Sequence, residues 1–526
     1  MALPPQIINS RFAVPALAAA SAVAVLIGNR SGLAVGDDGV GYEAIADNLS
    51  AGKGLGYFLE PKLTIWPPGW PTAMSVLDRL TPLDAEGAAI WLNALTTVGI
   101  VLVFSALLRS MVHSRPFLLA GTATVALGCS SMLLGHLLMT DFAFMLVALC
   151  AFALLTLPES PKLHHWFLAG CAIAVAFLIR YAGIVFLGII PLWALSCHKL
   201  TLPDRIKRCV AFGLPAGTTM LLWVLRNRSI DGTALGVRYS SNRGLVANTI
   251  DLIATLGNFL NPGVAIDLRL IWFIVGLIGV SLMAAFTARS LGVSELKVGS
   301  EHGLLRLHPR RLWMQLGGTL PGLLVIHTAT YALYMLYART TTGLNQLDFR
   351  LLNPLYLPLV LLAILTLDRV ARSNPGIWAR AATAALALWT ALNLALGIGM
   401  VAYFQSGPDL FGGNYSGPTF DRARRSEALD AIPSDCRLLS NLPNGLYEAD
   451  LEAQWSPRLT GLESFDPVND LEVVRRDLRA DRICLAWIDL PPNYGHLVPL
   501  SQLRKEFTLK TLASDGPVTT YEILLK

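Results

Sequence analysis

The chain is poor in charge. Only 15% of its 526 residues are Asp, Glu, Lys or Arg, against about 25% in an ordinary soluble domain. Hydrophobic residues make up 54% and mean hydropathy is +0.53, more apolar surface than a soluble core absorbs but not more than a bilayer does. The net charge is only +5 and no basic run is interleaved with aromatics, so nothing reads as nucleic-acid binding. There is no G-x-x-x-x-G-K-[ST] phosphate loop, since Gly52-Lys53-Gly54 lacks the spacing, and no H-E-x-x-H, close His/Cys metal spacing or G-x-S-x-G elbow. These absences disfavour ATP-driven transport and metalloprotease chemistry. The seven cysteines form no C-x-x-C pair. Cys129, Cys150, Cys171, Cys197 and Cys209 lie in or beside apolar runs, where cysteine is a small hydrophobe. Cys436 and Cys484 lie in the polar C-terminal part, where an oxidising compartment would permit pairing. No internal repeat or low-complexity tract is present.

What the sequence does have is apolar runs of spanning length, about 20 residues each. Eleven are found, roughly at 12–28, 88–108, 117–135, 140–157, 166–180, 182–197, 209–225, 270–288, 317–337, 351–367 and 381–403. Lys and Arg favour cytoplasmic loops. With the N-terminus inside, those loops hold Arg109 and Arg115; Lys199, Arg205, Lys207 and Arg208; Arg289, Lys297, Arg306, Arg310 and Arg311; and Arg369, Arg372 and Arg380. His164 and His165 fall in a further inside loop and read as solvated. An odd number of spans then places the C-terminus outside. The first span reads as an uncleaved anchor, because the chain after it keeps inserting. Two outer loops follow, at 29–87 and 226–269. The expected division is a membrane domain over 1–404 and an extracytoplasmic domain over 405–526.

The C-terminal part is charged and rich in turn residues. Short apolar runs at Arg437–Ser440, Ile483–Ile488, Thr508–Leu512 and Thr519–Leu525 read as strands, and Asp470–Leu478 and Leu500–Phe507 have helical spacing. This alternation predicts a small α/β domain. Its Ser440-Asn441-Leu442-Pro443-Asn444 turn follows a strand, where α/β sites tend to lie, although an ordinary strand-to-helix turn accounts for it equally.

In the first outer loop, Tyr42, Ile45, Ala46 and Leu49 share one face of a short helix suited to the membrane interface. Asp38 precedes it, either as an N-cap or as a catalytic carboxylate at the membrane surface, with Asp37 beside it. Trp66-Pro67-Pro68-Gly69-Trp70-Pro71 imposes a rigid bend, its Trp rings either interfacial anchors or a wall of a site. Asp141 opens the fourth span as a dipole-favoured helix start or a functional acid. Arg180 and Tyr181 separate two short apolar runs, where Arg180 either snorkels or takes a buried polar role. Arg226 and Arg228 end the seventh span, and Arg350 sits at the outer end of the tenth. In this topology Asp38, Asp141, Arg180, Arg226 and Arg350 can all face one outer-leaflet cavity.

In their order, these elements resemble the GT-C glycosyltransferases, in the branch of bacterial protein-mannosyltransferase-like and aminoarabinose-transferase-like enzymes. The resemblance rests on Asp38 with Tyr42 four residues on, Gly-Lys-Gly-Leu-Gly at 52–56, and Trp-Pro-Pro-Gly-x-Pro at 66–71. It continues through Thr140-Asp141, Arg180-Tyr181-Ala182-Gly183, Arg226-Asn227 with Gly232, and Arg350 with Pro354, covering roughly residues 10–400. The family often has Asp-Glu at its first site, where this chain has Asp37-Asp38, and the spacing to Tyr42 matches Asp38 to the catalytic position. The resemblance implies an α-helical polytopic GT-C-like protein of the cell membrane that takes a sugar from a polyprenyl-phosphate donor. The acceptor would be an extracytoplasmic glycan, lipid or protein. Asp38 would be the general base. Arg180 and Arg350, with Arg226 and Lys62 behind them, would stabilise the lipid-phosphate leaving group. Tyr42, Trp66 and Tyr181 would line the cavity. Asp141 would orient the acceptor or, with Asp38, hold a divalent cation, the one cofactor that remains open. Mannose, arabinofuranose, aminoarabinose and galacturonic acid all fit. A flippase for lipid-linked glycans, which should show paired broken helices, and a structural assembly protein are the competing readings.

Overall fold

A computed structural model of the chain describes residues 10–238, 240–260, 269–290, 317–373, 376–407, 414–460, 467–491 and 494–526. Among them, seven helical segments are long and apolar enough to cross a membrane: Phe12–Ser31, Ala85–Met111, Arg115–Gly135, Leu202–Asp231, Leu320–Thr341, Phe349–Ser373 and Ile377–Gln405. Four shorter apolar helices, Asp141–Thr156, Leu163–Ile179, Tyr181–Leu195 and Arg269–Leu282, coincide with the remaining expected spans. The 16 residues of Asp141–Thr156 rise about 24 Å, less than the roughly 30 Å of a hydrocarbon core. Short helices of this kind leave polar ends within the bundle. The basic residues Lys297, Arg306, Arg310 and Arg311, and positions 239 and 261–268 of the second outer loop, lie outside the described residues.

The third expected span is not one helix. It breaks at Gly128 into Arg115–Leu127 and Cys129–Gly135, with Gly128 extended. The last membrane helix packs directly on that break: a Cβ at Gly397 would lie 1.8 Å from the Leu127 carbonyl oxygen. Only glycine allows the two backbones to come so close.

The segment expected as the first outer loop contains two helices, Asp37–Ser50 and Gly69–Leu80. The apolar stripe of the first goes elsewhere than expected. Tyr42 and Ala46 join the main hydrophobic core, and Ile45 packs with Tyr57 and Leu63 of the following loop. The stripe is spent on protein contacts inside the molecule.

The C-terminal region carries a five-stranded sheet in the order β2-β1-β3-β5-β4. The strands are β1 (Arg437–Ser440), β2 (Gln454–Trp455), β3 (Ile483–Ile488), β4 (Thr508–Asp515) and β5 (Val518–Leu524). β1 runs parallel to β2 and β3, while β5 is antiparallel to β3 and β4. The four strands and two helices read from the sequence are present, the helices as Asp470–Asp477 and Leu500–Glu506. The two-residue β2 is too short to leave a periodic signal.

Cys436 and Cys484 are joined in a disulfide with Cα atoms 5.7 Å apart, tying the start of β1 to β3. A bridge across a loop of this length stabilises by about 2–4 kcal/mol. We therefore expect dithiothreitol to lower the thermal unfolding midpoint of the C-terminal region in the full-length protein. The Cys436→Ser/Cys484→Ser variant should unfold at the reduced wild-type midpoint and should not respond to the reductant.

Candidate functional site

The site begins with an extended stretch, Leu33–Val35, that leads from the first membrane helix into the Asp37–Ser50 helix. Its backbone is satisfied from both sides. On one side, Ala34 N–H donates to the His136 carbonyl at 3.0 Å, and Leu138 N–H donates to the Ala34 carbonyl at 3.1 Å. On the other, Tyr415 N–H donates to the Val35 carbonyl at 2.9 Å, Val35 N–H donates to Asn414 Oδ1 at 2.9 Å, and the Ser416 hydroxyl donates to the Leu33 carbonyl at 2.7 Å. Three residues beyond Val35 lies Asp38, and three beyond Leu138 lies Asp141. One backbone ladder thus brings both acids to the same end of the bundle.

Each acid meets an arginine. Asp38 Oδ2 accepts from Arg350 Nη1 at 3.0 Å, the side chains being 32% and 21% exposed. Asp141, only 1% exposed, pairs with Arg180. The pairs adjoin: Arg350 also lies 3.4 Å from Met139 Sδ, and Asp141 interacts electrostatically with both arginines. Local structure explains the placement. Asp38 lies in the first turn of a helix that starts at Asp37, so it is not the N-cap; that position is Gly36, with no side-chain cap. Asp141 is the first residue of its helix, and Arg180 is the C-cap of Leu163–Ile179. The positive end of a helix favours an acid and the negative end favours a base. Arg350 breaks this rule, standing in the first turn of Phe349–Ser373. Asp348, whose carboxylate accepts from Leu351 N–H at 2.9 Å, and Asp38 offset its charge there.

The remaining expected residues fall into two layers. Tyr42 is buried beside this cluster; burial first, and the Asp38 charge second, push its phenol well above the usual range. Its ring lies 5.5 Å from Trp66. Trp66 in turn covers Gly41, where a Cβ would sit 2.3 Å from the indole. One layer out, the Tyr181 hydroxyl donates to the Thr64 carbonyl at 2.7 Å and accepts from Trp223 Nε1 at 2.9 Å. Arg226 donates to the Leu63 carbonyl at 2.6 Å and lies over the Trp223 ring at 4.4 Å. Both residues hold the loop that carries Trp66. Lys62 is exposed, and no hydrogen bond or ion pair among the described residues ties it to the cluster. Asp38 and Asp141, named above as candidate cation ligands, are each already faced by a guanidinium, an arrangement that suits an anion better than a cation. Among the described residues no group of three or more His, Cys, Asp or Glu side chains could hold a metal.

Sequence reasoning missed the partners of Asp37. Its carboxylate turns away from Arg350 and accepts from Tyr415, Asn444 and Tyr494, all in the C-terminal region. Only Asn444 lay in a segment singled out beforehand, the turn after β1. Also missed was a contact between Glu43 of the Asp37–Ser50 helix and Glu448 near the same turn, flanked by Glu86 and Asp47.

No protein-family model matches the sequence, and no curated protein matches it by sequence. Solved structures do match in fold. ArnT from Cupriavidus metallidurans, bound to undecaprenyl phosphate, superposes with a TM-score of 0.58 at 13% identity over 98% of both chains. The Archaeoglobus fulgidus oligosaccharyltransferase in its apo form gives 0.52 at 10% identity, over 90% of this chain and 69% of that one. Arabinofuranosyltransferase AftD from Mycobacteria gives 0.51 at 15% identity, over all of this chain and 42% of that one. The chain shares the fold of these solved structures, with ArnT over nearly the full length of both chains.

The acidic contact gives a pH dependence with a definite sign. Burial first, and the charge of its neighbour Glu448 second, push Glu43 up to about 9. Burial first, and Glu86 second, raise Glu448 as well. A carboxyl group whose folded pKa is raised stabilises fully below its unfolded value and loses that contribution as pH rises through the folded value. Thermal stability of the full-length protein should therefore fall as pH is raised from about 5 to about 9. Glu43→Gln should flatten that slope, which a series of unfolding midpoints against pH will measure.

Proposed function

We propose that this protein is a membrane glycosyltransferase that moves a sugar from a polyprenyl-phosphate donor to an acceptor outside the cytoplasm, with Asp38 as the general base. The observation that carries the reading is the pairing of Asp38 with Arg350 and of Asp141 with Arg180 at one end of the bundle. A transfer of this kind needs exactly those two chemistries side by side. A carboxylate must take the acceptor hydroxyl's proton, and cations must receive the charge that develops on the departing lipid phosphate. Arg180 and Arg350 take the phosphate role, and Arg226 supports the loop behind them. Asp141 keeps Arg180 in place. The fold shared with a structure bound to undecaprenyl phosphate supports a lipid-phosphate donor.

We also infer the orientation set out from the basic loops, with the N-terminus cytoplasmic and a C-terminal domain of about 405–526 outside. The Cys436–Cys484 disulfide supports it, since such bonds persist in oxidising compartments. There the acceptor would be a cell-envelope glycan, lipid or protein.

The test is sugar transfer by the reconstituted protein from polyprenyl-phosphate donors, comparing wild type with Asp38→Asn. The amide keeps the shape and removes the base, so transfer should fall roughly 10²–10⁴-fold while the protein stays folded. Full transfer by well-folded Asp38→Asn refutes the mechanism. Labelled lipid that crosses vesicles with no donor consumed makes the protein a flippase instead.

A further inference from the structure

Asp37 has no task in the chemistry above, yet it is more fully hydrogen-bonded than Asp38. The Tyr415 hydroxyl donates to its Oδ1 at 2.7 Å, Asn444 Nδ2 donates to the same oxygen at 2.7 Å, and the Tyr494 hydroxyl donates to Oδ2 at 2.8 Å. The two hydroxyls lie 3.1 Å apart. Tyr415 is fully buried and Asn444 is 5% exposed. All three donors are uncharged, and all belong to the C-terminal region. Asp38, the next residue along the helix, points to Arg350 on a membrane helix. One turn of helix is thus held at two adjacent side chains by two different parts of the protein.

We propose that Asp37 is a positioning residue, through which the C-terminal region sets where Asp38 meets Arg350. The proposal rests on Asp38 as the base of a glycosyl transfer. Neutral donors suit the task. They fix the carboxylate's direction without adding a cation that would compete with Arg350 for Asp38. The Asn414–Ser416 contacts on Leu33–Val35 hold the same stretch of chain from the same side, so the clamp acts on a segment that is already extended and paired. A carboxylate placed only to glue two regions together would leave the neighbouring base unaffected by its loss. Asp37 and Asp38 share one helical turn, so a shift of that turn displaces both side chains.

The experiment uses the full-length protein in liposomes, with Asp37→Asn, Tyr494→Phe and Asp38→Asn. Two readouts are taken: the kinetics of transfer from a polyprenyl-phosphate sugar as a function of pH, and backbone hydrogen exchange over residues 33–42. Tyr494 is only partly buried, so Tyr494→Phe removes one donor with little risk to folding. We expect Asp37→Asn and Tyr494→Phe each to lower kcat about tenfold, since each weakens a hydrogen bond to a charged group. Donor KM should stay within about twofold, the acid limb of the pH–rate profile should persist because Asp38 remains, and exchange over 36–40 should rise. Wild-type kcat in both variants, with Asp38→Asn inactive, overturns the positioning role and leaves the glycosyl-transfer reading standing. Loss of the acid limb in Asp37→Asn, with activity as low as in Asp38→Asn, also overturns it, because Asp37 would then be the base. Should the wild type transfer no sugar, the glycosyl-transfer reading fails on its own, and unchanged exchange in Tyr494→Phe removes the clamp as well.

Discussion

The arrangement depends on the need to satisfy the backbone of Leu33–Val35. Chain leaving a membrane helix in extended form has amide groups that neither helix nor lipid can pair. Here they are paired on one flank by His136 and Leu138 and on the other by Asn414–Ser416. That single requirement draws three distant parts of the chain together: the end of the first span, the approach to Asp141, and the start of the C-terminal region. The acids follow because each lies a few residues beyond the ladder, at a helix start where the dipole favours negative charge. The site is therefore a consequence of how the backbone leaves the bilayer.

The arginines complete it at differing energetic cost. Arg180 closes a helix, where a cation is favoured. Arg350 opens one, where it is not. Its position is tolerated because Asp348, Asp38 and Asp141 surround it. A partly buried guanidinium loses part of its compensation when an acid beside it is removed, so Asp38 and Arg350 hold each other in place. The same logic applies in reverse to Glu43 and Glu448. Two acids pressed together with little water between them retain a proton, and the contact they make belongs to the seam between the first outer loop and the C-terminal region.

Much of this was legible in the sequence, for physical reasons that differ from element to element. Apolar length marks a span whatever surrounds it, so every expected span coincides with an apolar helical segment. Short apolar runs between turn residues marked β1, β3, β4 and β5. Charges at the ends of apolar runs are costly, and that cost singled out Asp141, Arg180 and Arg350. The break at Gly128 was hidden because no charge or proline marks it, while the approach of Gly397 is a long-range packing fact. The stripe of Tyr42, Ile45 and Ala46 was recognised, but an amphipathic pattern does not say whether lipid or protein will cover it. The partners of Asp37 lie 378, 407 and 457 residues away, beyond any local pattern. Arg226 was read with the other arginines because its position at a span end is the same. What separates it from them is its bond to the Leu63 carbonyl, with its guanidinium over the Trp223 ring.

On the proposed chemistry, the pair of Asp38 and Arg350 places the base against one of the groups that would receive the lipid phosphate. A lipid phosphate arriving at Arg350 offers the guanidinium a second anion, and a guanidinium presents five N–H donors in a rigid fork that suits phosphate geometry. On this proposal Arg350 holds Asp38 through one Nη and can turn its remaining donors to phosphate, so base and leaving group would meet at one side chain. Asp37, anchored by the uncharged Tyr415, Asn444 and Tyr494, competes for none of those donors.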